Sequence, residues 1–581
     1  MNLTRYGIAF LLALAPFSAS AQFAPPAKTT PAPITPAQPI LARNGMVVAQ
    51  ESRAARIGVE FLNRGGNAVD AAVAAGFALA VTYPRAGNIG GGGFMVIHLA
   101  KNGNLESRDM AIDYRETAPS AATATMFLDA KGEPDPAKSR DSALSIGVPG
   151  TVAGLALAHR KYGSGKFTLA DLIAPAIELA RNGVDIVDDI ADSLPRAQAR
   201  LARWPSSAPV FLNSDGSVLA PGQTLLQADL AATLVTVARE GPRGFYEGPV
   251  AQKIADAVRK AGGIMTKEDM AGYRAVERAV VRGSYRGYDI VAMPPPSSGG
   301  VHLIEMLNIL EGYDLAKLGR GERTLHLMIE AMKRAYADRA VFMGDPDAVK
   351  MPVAGLTSKK YAAALRASIG EHATPSADIR AGKPADFEGQ NTTHFSVIDR
   401  AGNAVSNTYT LNFSYGVGLV ADGTGVLLNN ELDDFTAKPG AANAFGLVGF
   451  TANLPGPGKR PLSSMAPTIV LKDGKPFLIT GSPGGSRIIS AVLQVIVNAI
   501  DFHMPIAAAV TAPRLHHQWQ PEQVFAEPDF APDLLDALRA RGHDVVATRP
   551  ATSANSIGFM TDGHVVGAAD TRTRGALAAG Y

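Results

Sequence analysis

Between residues 52 and 342 the apolar positions recur mainly at helical spacing. Ala55, Ile57, Val59, Phe61 and Leu62 predict a helix over 52–63 that stops at Gly65-Gly66. Asn67 is placed to cap a second helix, with Asp70 three positions on. Its body, 71–81, is small and apolar on every side, which predicts burial all round. Four glycines at 90–93 then lead into a strand over 94–99, with a partner strand at 108–114. Further helices are predicted over 151–159, 169–182, 229–240, 250–261, 300–310 and 324–342. Pro175 falls inside the second of these, so a kink or two pieces is expected there.

From about residue 390 the pattern changes to short β-rich runs. HFSVIDR and AVSNTYTL flank Gly402-Asn403; APTIVLK and KPFLIT flank Asp473-Gly474; SIGFM and HVVGAA flank Asp562-Gly563. Each reads as a hairpin, and Asp-Gly predicts a two-residue turn with positive φ at both positions. A long apolar helix is predicted over 486–502. Sheets faced by helical layers follow from this order, with both halves of the chain sharing one core.

Composition narrows the function. Of 581 residues, 46% are hydrophobic and 19% charged, which excludes a disordered chain. The net charge of +2 gives no global field for nucleic acid, and none is expected as a partner. With no cysteine there is no disulfide, zinc-thiolate site or cysteine nucleophile. Arg5, the apolar run 8–15 and Ala19-Ser20-Ala21 read as a signal peptide over 1–21. The run is too short to span a bilayer comfortably, so no stable membrane anchor is expected and the mature protein is expected to be periplasmic or secreted. Residues 22–42 are Pro-rich and predict an extended linker.

Few familiar catalytic patterns occur. There is no G-x-S-x-G, Walker A, H-E-x-x-H or EF-hand motif. Adjacent His516 and His517 would face opposite ways on a strand, which suits structural hydrogen bonds better than a metal site. The run Gly481-Ser482-Pro483-Gly484-Gly485-Ser486-Arg487 follows a strand and opens a helix. Such a loop is either a plain tight turn or a nest of N–H groups that stabilises an anion or oxyanion. By spacing alone, Asn391-Thr392-Thr393-His394 is only the start of a strand.

Together, however, several motifs resemble the γ-glutamyltranspeptidase family. Thr392-Thr393-His394-Phe395-Ser396-Val397 is similar to the start of that family's small subunit. The runs 430–435 (NELDDF), 460–465 (RPLSSM), 481–487, 111–116 (AIDYRE) and the glycines at 90–93 occur in family order. The resemblance extends from about Ala49 to Tyr581. It implies an N-terminal-nucleophile hydrolase with an α+β, four-layer αββα sandwich. The precursor is then expected to be cut between Asn391 and Thr392. That gives a large subunit over 43–391 and a small, catalytic one over 392–581. A new N-terminal α-amine, with a reference pKa of roughly 7.7–8.0, would serve as the base for the Thr392 hydroxyl.

The same resemblance assigns further roles. Thr410 assists Thr392, and the backbone of Gly484 and Gly485 holds the oxyanion. Arg115, Ser463 and Ser464 take the α-carboxylate of a glutamyl group, Glu431 and Asp434 its α-ammonium, and Asn412 lies between. Glutathione and other γ-glutamyl compounds are the implied donors, with water, amino acids or dipeptides as acceptors. The mechanism needs no metal or organic cofactor. Phe445 stands where many bacterial relatives have a lid Tyr, and Thr571 where relatives often have Pro; weaker lid closure and a local effect are expected. Two alternatives are a glutaryl or cephalosporin acylase of the same superfamily and a non-catalytic periplasmic γ-glutamyl peptide-binding protein.

Overall fold

The computed structural model describes residues 34–381, 392–441 and 450–581, with Thr392 described by its backbone. Two seven-stranded antiparallel sheets form its centre. The first runs in the order Ile40–Ala42, Val565–Ala568, Ser556–Phe559, Lys475–Thr480, Thr468–Lys472, Tyr288–Ala292, Val281–Tyr285. The second runs Leu577–Gly580, Met46–Ala49, Thr392–Ile398, Ala404–Thr410, Gly92–Leu99, Arg108–Tyr114, Val276–Arg278. Both sheets combine strands from before and after residue 391, so the two halves of the chain share one core.

Side-chain alternation explains the layering. Val47, Met95, Ile97, Phe395 and Val397 pack into one core with the helices Ser52–Asn63, Ala68–Thr82 and Thr151–Tyr162. Their neighbours Met46, Val48, Phe94 and Val96 join a second core with Ile469 and Ile479 of the first sheet. That core also holds helices Gly299–Leu310, Glu322–Phe342 and Arg487–Ile500. The result is the four-layer αββα sandwich of an α+β protein. Helix Ala68–Thr82 is buried at every position, and Asn67 and Asp70 cap it reciprocally, as its composition predicts.

One local expectation is narrowed by the structure and another differs from it. Leu169–Asn182 is one helix with Pro175 inside it, not two pieces. A proline deletes one N–H bond, and here the Thr168–Asp171 capping box and the buried Leu172, Ile173, Ala176 and Ala180 hold the helix on either side. The Asp562-Gly563 turn is also not a two-residue one. Gly563 N–H donates to Met560 O and Met560 N–H to His564 O, with φ +87° at Gly563 alone. This is a three-residue turn closed by a glycine bulge. Asp473-Gly474, by contrast, has φ of 51° and 74°, the expected pair. Among the described residues no helix is long and apolar enough to cross a membrane. The proposed signal peptide, Asn391 and Phe445 lie outside the described residues.

Candidate active site

The strand that begins at Thr392 pairs with Ala404–Thr410, and the register sets Thr392 opposite Thr410. Close approach here depends on the glycine run. A Cβ on Gly91 would fall 2.1 Å from Thr410 O, and one on Gly93 would fall 2.4 Å from Tyr409 Cβ. Thr410 Oγ1 accepts the N–H of Asn412, which sits at φ 72° and donates from Nδ2 to Asn430 O. Two positions along the strand from Thr392, His394 N–H donates to Gln50 Oε1. Burial pushes the His394 imidazole down to about 3, so the ring is neutral at physiological pH.

Arg115 follows directly on the strand Arg108–Tyr114 and is fully buried. Its Nη1 donates to Glu431 Oε1 and its Nη2 to Asp434 Oδ2, while Nε donates to Pro461 O at 3.0 Å. Glu431–Asp434 is a single 3₁₀ turn, in which residues three apart eclipse. Glu431 and Asp434 therefore face the guanidinium together, and Asp433 turns away to accept from Ser139 Oγ at 2.6 Å. Ser463 and Ser464 complete the wall. The space left between these groups is about 10 Å³, enough for one water.

The electrostatics follow from crowding without solvent. Burial disfavours charge on Arg115, but Glu431 and Asp434 outweigh it and hold its pKa above the ordinary value. Burial raises Glu431 well above the usual carboxylate range, against the pull of Arg115, and Glu116 and Asp434 push the same way. Three acids around one guanidinium retain a proton more easily than one would.

Asp433 provides a separate test. Burial pushes its carboxyl up to about 7, against a lowering by Ser139. In the unfolded chain it ionises near 4. Between these values the folded protein holds a proton that unfolding releases, so stability falls as pH rises through that window. Asp433→Asn lacks the titration. Its stability relative to the parent is expected to rise by on the order of 2–4 kcal/mol between pH 4 and 8. Urea midpoints at the two pH values measure this, and a pH-independent difference would contradict it.

The glycine loop lies across the site. Gly485 lines the pocket, and Gly484 has φ +130°, with Thr552 Cγ2 2.7 Å from where a Cβ would be. The loop ends in helix Arg487–Ile500, whose first N–H groups have no partner four residues back. Thus Arg115, Thr410, Asn412, Glu431, Asp434, Ser463, Ser464 and Gly485 surround one pocket.

Sequence reading missed the residues that hold this wall. Arg339, fully buried on helix Glu322–Phe342, donates from Nη2 to Ser464 Oγ at 2.8 Å and from Nε to Ser298 Oγ at 2.7 Å. Asn453 Nδ2 donates to Asp434 O at 2.7 Å. Charges at buried positions of a long helix were the available signal for Arg339. His516 is bound by Ser490 and Gln518, a structural role as expected. His326, Glu330 and His543 bring ligand-type atoms within 4.8 Å. However, the two imidazoles bond each other at 2.8 Å, and Glu330 already pairs with Arg334 and Lys333. Thr571 donates to Thr35 O and so ties the N-terminal lead-in to this end of the chain.

The family model for γ-glutamyltranspeptidase matches residues 54–580. The chain belongs to the γ-glutamyltranspeptidase family. It is 49% identical to a glutathione hydrolase proenzyme of Escherichia coli K12, across 100% of this chain and 99% of that one. It is 40% identical to an acylase ACY 1 proenzyme of Pseudomonas sp. strain V22, across 93% and 94%. Among solved structures, a cephalosporin acylase from Bacillus halodurans superposes with a TM-score of 0.83 at 28% identity, covering 96% of this chain and 99% of that one. A Helicobacter pylori γ-glutamyltranspeptidase chain gives 0.55 at 48% identity, over 57% of this chain and 93% of that one. The protein is an enzyme of this family, with its N-terminal-nucleophile fold.

Proposed function

We propose that the protein is an autoprocessing γ-glutamyltranspeptidase and glutathione hydrolase, exported after removal of residues 1–21. The observation that carries this reading is the buried Arg115 held between Glu431 and Asp434 beside Ser463 and Ser464. An α-amino acid brings one carboxylate and one ammonium. Its carboxylate replaces the acids on Arg115, forming a two-pronged contact, and its ammonium takes the acids released. Asn412 steadies the chain between the two ends.

Maturation precedes turnover. The Thr392 hydroxyl attacks the Asn391 carbonyl, the amide shifts from N to O, and water cleaves the ester. Asn391 leaves as a carboxylate and Thr392 keeps a free α-amine. In turnover that amine, neutral, accepts the hydroxyl proton as Oγ bonds to the γ-carbonyl carbon. Backbone N–H groups of Gly484 and Gly485 hold the oxyanion, and Thr410 orients the nucleophile. The protonated amine returns its proton to the leaving nitrogen. Water or an acceptor amine then resolves the ester and regenerates Thr392.

The family's acylases pose the rival reading, since relatives named as glutathione hydrolase and as acylase both resemble this chain along nearly its whole length. A glutaryl group lacks the α-ammonium, so Glu431 and Asp434 would face it unpaired, at a desolvation cost of roughly 1–3 kcal/mol. The purified enzyme is expected to cleave a γ-glutamyl anilide at least tenfold more efficiently, by kcat/KM, than the glutaryl anilide. Equal rates, or a preference for glutaryl, would favour the acylase. Binding of γ-glutamyl peptides without turnover would favour a binding protein.

A further inference from the structure

Two buried asparagines, Asn88 and Asn429, hold the backbone next to the substrate pocket, and neither is among the described residues that line it. Asn88 precedes the glycine run, and Asn429 stands two residues before Glu431. An asparagine side chain offers two N–H donors and an oxygen that accepts twice. Both residues fill all four positions. Asn88 Nδ2 donates to Thr410 O and to Ala86 O, both at 2.8 Å. Its Oδ1 accepts from Gly91 N–H and from Thr151 Oγ1, also at 2.8 Å. Asn429 Nδ2 donates to Gly90 O and Gly147 O at 2.8 Å. Its Oδ1 accepts from Gly147 N–H at 2.9 Å and from Glu431 N–H at 3.0 Å.

The two amides cross between the halves of the chain. Asn88 comes from before residue 391 and holds Thr410, which comes after it. Asn429 comes from after it and holds Gly90 and Gly147, which come before. The glycine run is confined between them. A Cβ on Gly90 would fall 2.1 Å from Leu427 O, just as one on Gly91 would meet Thr410 O. Backbone groups buried this closely have no water to turn to, so each carboxamide fixes where its partners sit.

We propose that Asn88 and Asn429 are positioning residues with separate tasks. Asn88 sets Thr410 and, through the strand pairing, Thr392, for cutting and for acyl transfer. Asn429 sets the backbone of Glu431, and so the carboxylate that receives the α-ammonium. The inference rests on the γ-glutamyl reading and adds which residues hold the two parts of that site in place. A packing role alone would make the two residues alike, since each is a buried amide with four bonds. Separate tasks give opposite kinetic signatures.

The test pairs Asn88→Ala with Asn429→Ala. Cutting is followed by denaturing electrophoresis, and turnover per matured chain is measured on γ-glutamyl-p-nitroanilide. In Asn88→Ala, the cutting rate and kcat are expected to fall about tenfold, with KM within about twofold of the parent's. In Asn429→Ala, KM is expected to rise about tenfold, with cutting and kcat within about twofold. One shared pattern in both variants, or parental values in either, overturns the assignment. Milder changes decide the matter where an alanine variant does not fold. Thr151→Val keeps the side-chain shape but removes one bond from Asn88, and should slow cutting about threefold at unchanged KM. Asn429→Ser should raise KM about threefold at unchanged cutting. Parental cutting in the first, or parental KM in the second, overturns the corresponding role. A parent that neither cuts before Thr392 nor cleaves the anilide would instead overturn the γ-glutamyl reading.

Discussion

Thr392→Ala is expected to accumulate as one uncut chain with no measurable γ-glutamyl hydrolysis. Without the hydroxyl no ester can form at Asn391, so the N-terminus that supplies the catalytic amine never appears. The same change removes the nucleophile from turnover, and a loss on the order of 10⁴-fold or more is expected. The substitution is small, and the strand it lies on is held by pairing on both sides, through Thr410 and its neighbours and through Met46–Val48. The fold should therefore persist. Thr392→Ser separates chemistry from structure, because it restores a hydroxyl and should recover both cutting and turnover in part. Denaturing electrophoresis with an anilide assay reads both. Efficient cutting of the alanine variant would remove Thr392 from its assigned role.

Arg115→Lys is the next largest effect. Lysine keeps the charge but offers a point donor where the guanidinium makes a planar fork to Glu431 and Asp434. It also cannot reproduce the third bond, from Nε to Pro461 O. A fall in kcat/KM of about 100-fold, or roughly 2.7 kcal/mol of transition-state binding, is expected. Most of it should appear in KM, since the carboxylate is held equally before and during reaction. Cutting before Thr392 should proceed at nearly the parental rate, because none of Arg115's bonding partners lies on the nucleophile strand. Unchanged KM, or loss of maturation comparable to the loss of activity, would contradict the binding role.

Where sequence and structure agree, the local signal was self-sufficient. Asn67 and Asp70 cap their helix because the capping box needs only four consecutive residues. Asp473-Gly474 makes its turn because both positions tolerate positive φ. The hairpin Val281–Tyr285 with Tyr288–Ala292 escaped detection because Arg286, at φ 53°, occupies a position that usually takes Asn, Asp or Gly. Helix Asp188–Ala202 was hidden by Pro195, and the pairing of its Asp189 with Arg85 is visible only in space. The site divides in the same way. Arg115 and the 430–435 and 460–465 runs were legible because they match family motifs. Arg339 and Asn453 were not, because their work is done through Ser464 and Asp434, more than a hundred residues away for Arg339.

The measurement that bears most directly on the central claim is the intact mass and N-terminal sequence of the purified protein. Two chains are expected, the smaller of 581 − 391 = 190 residues and beginning Thr-Thr-His-Phe. A single stable chain that nonetheless cleaves a γ-glutamyl anilide would contradict the claim that Thr392 acts as an N-terminal nucleophile.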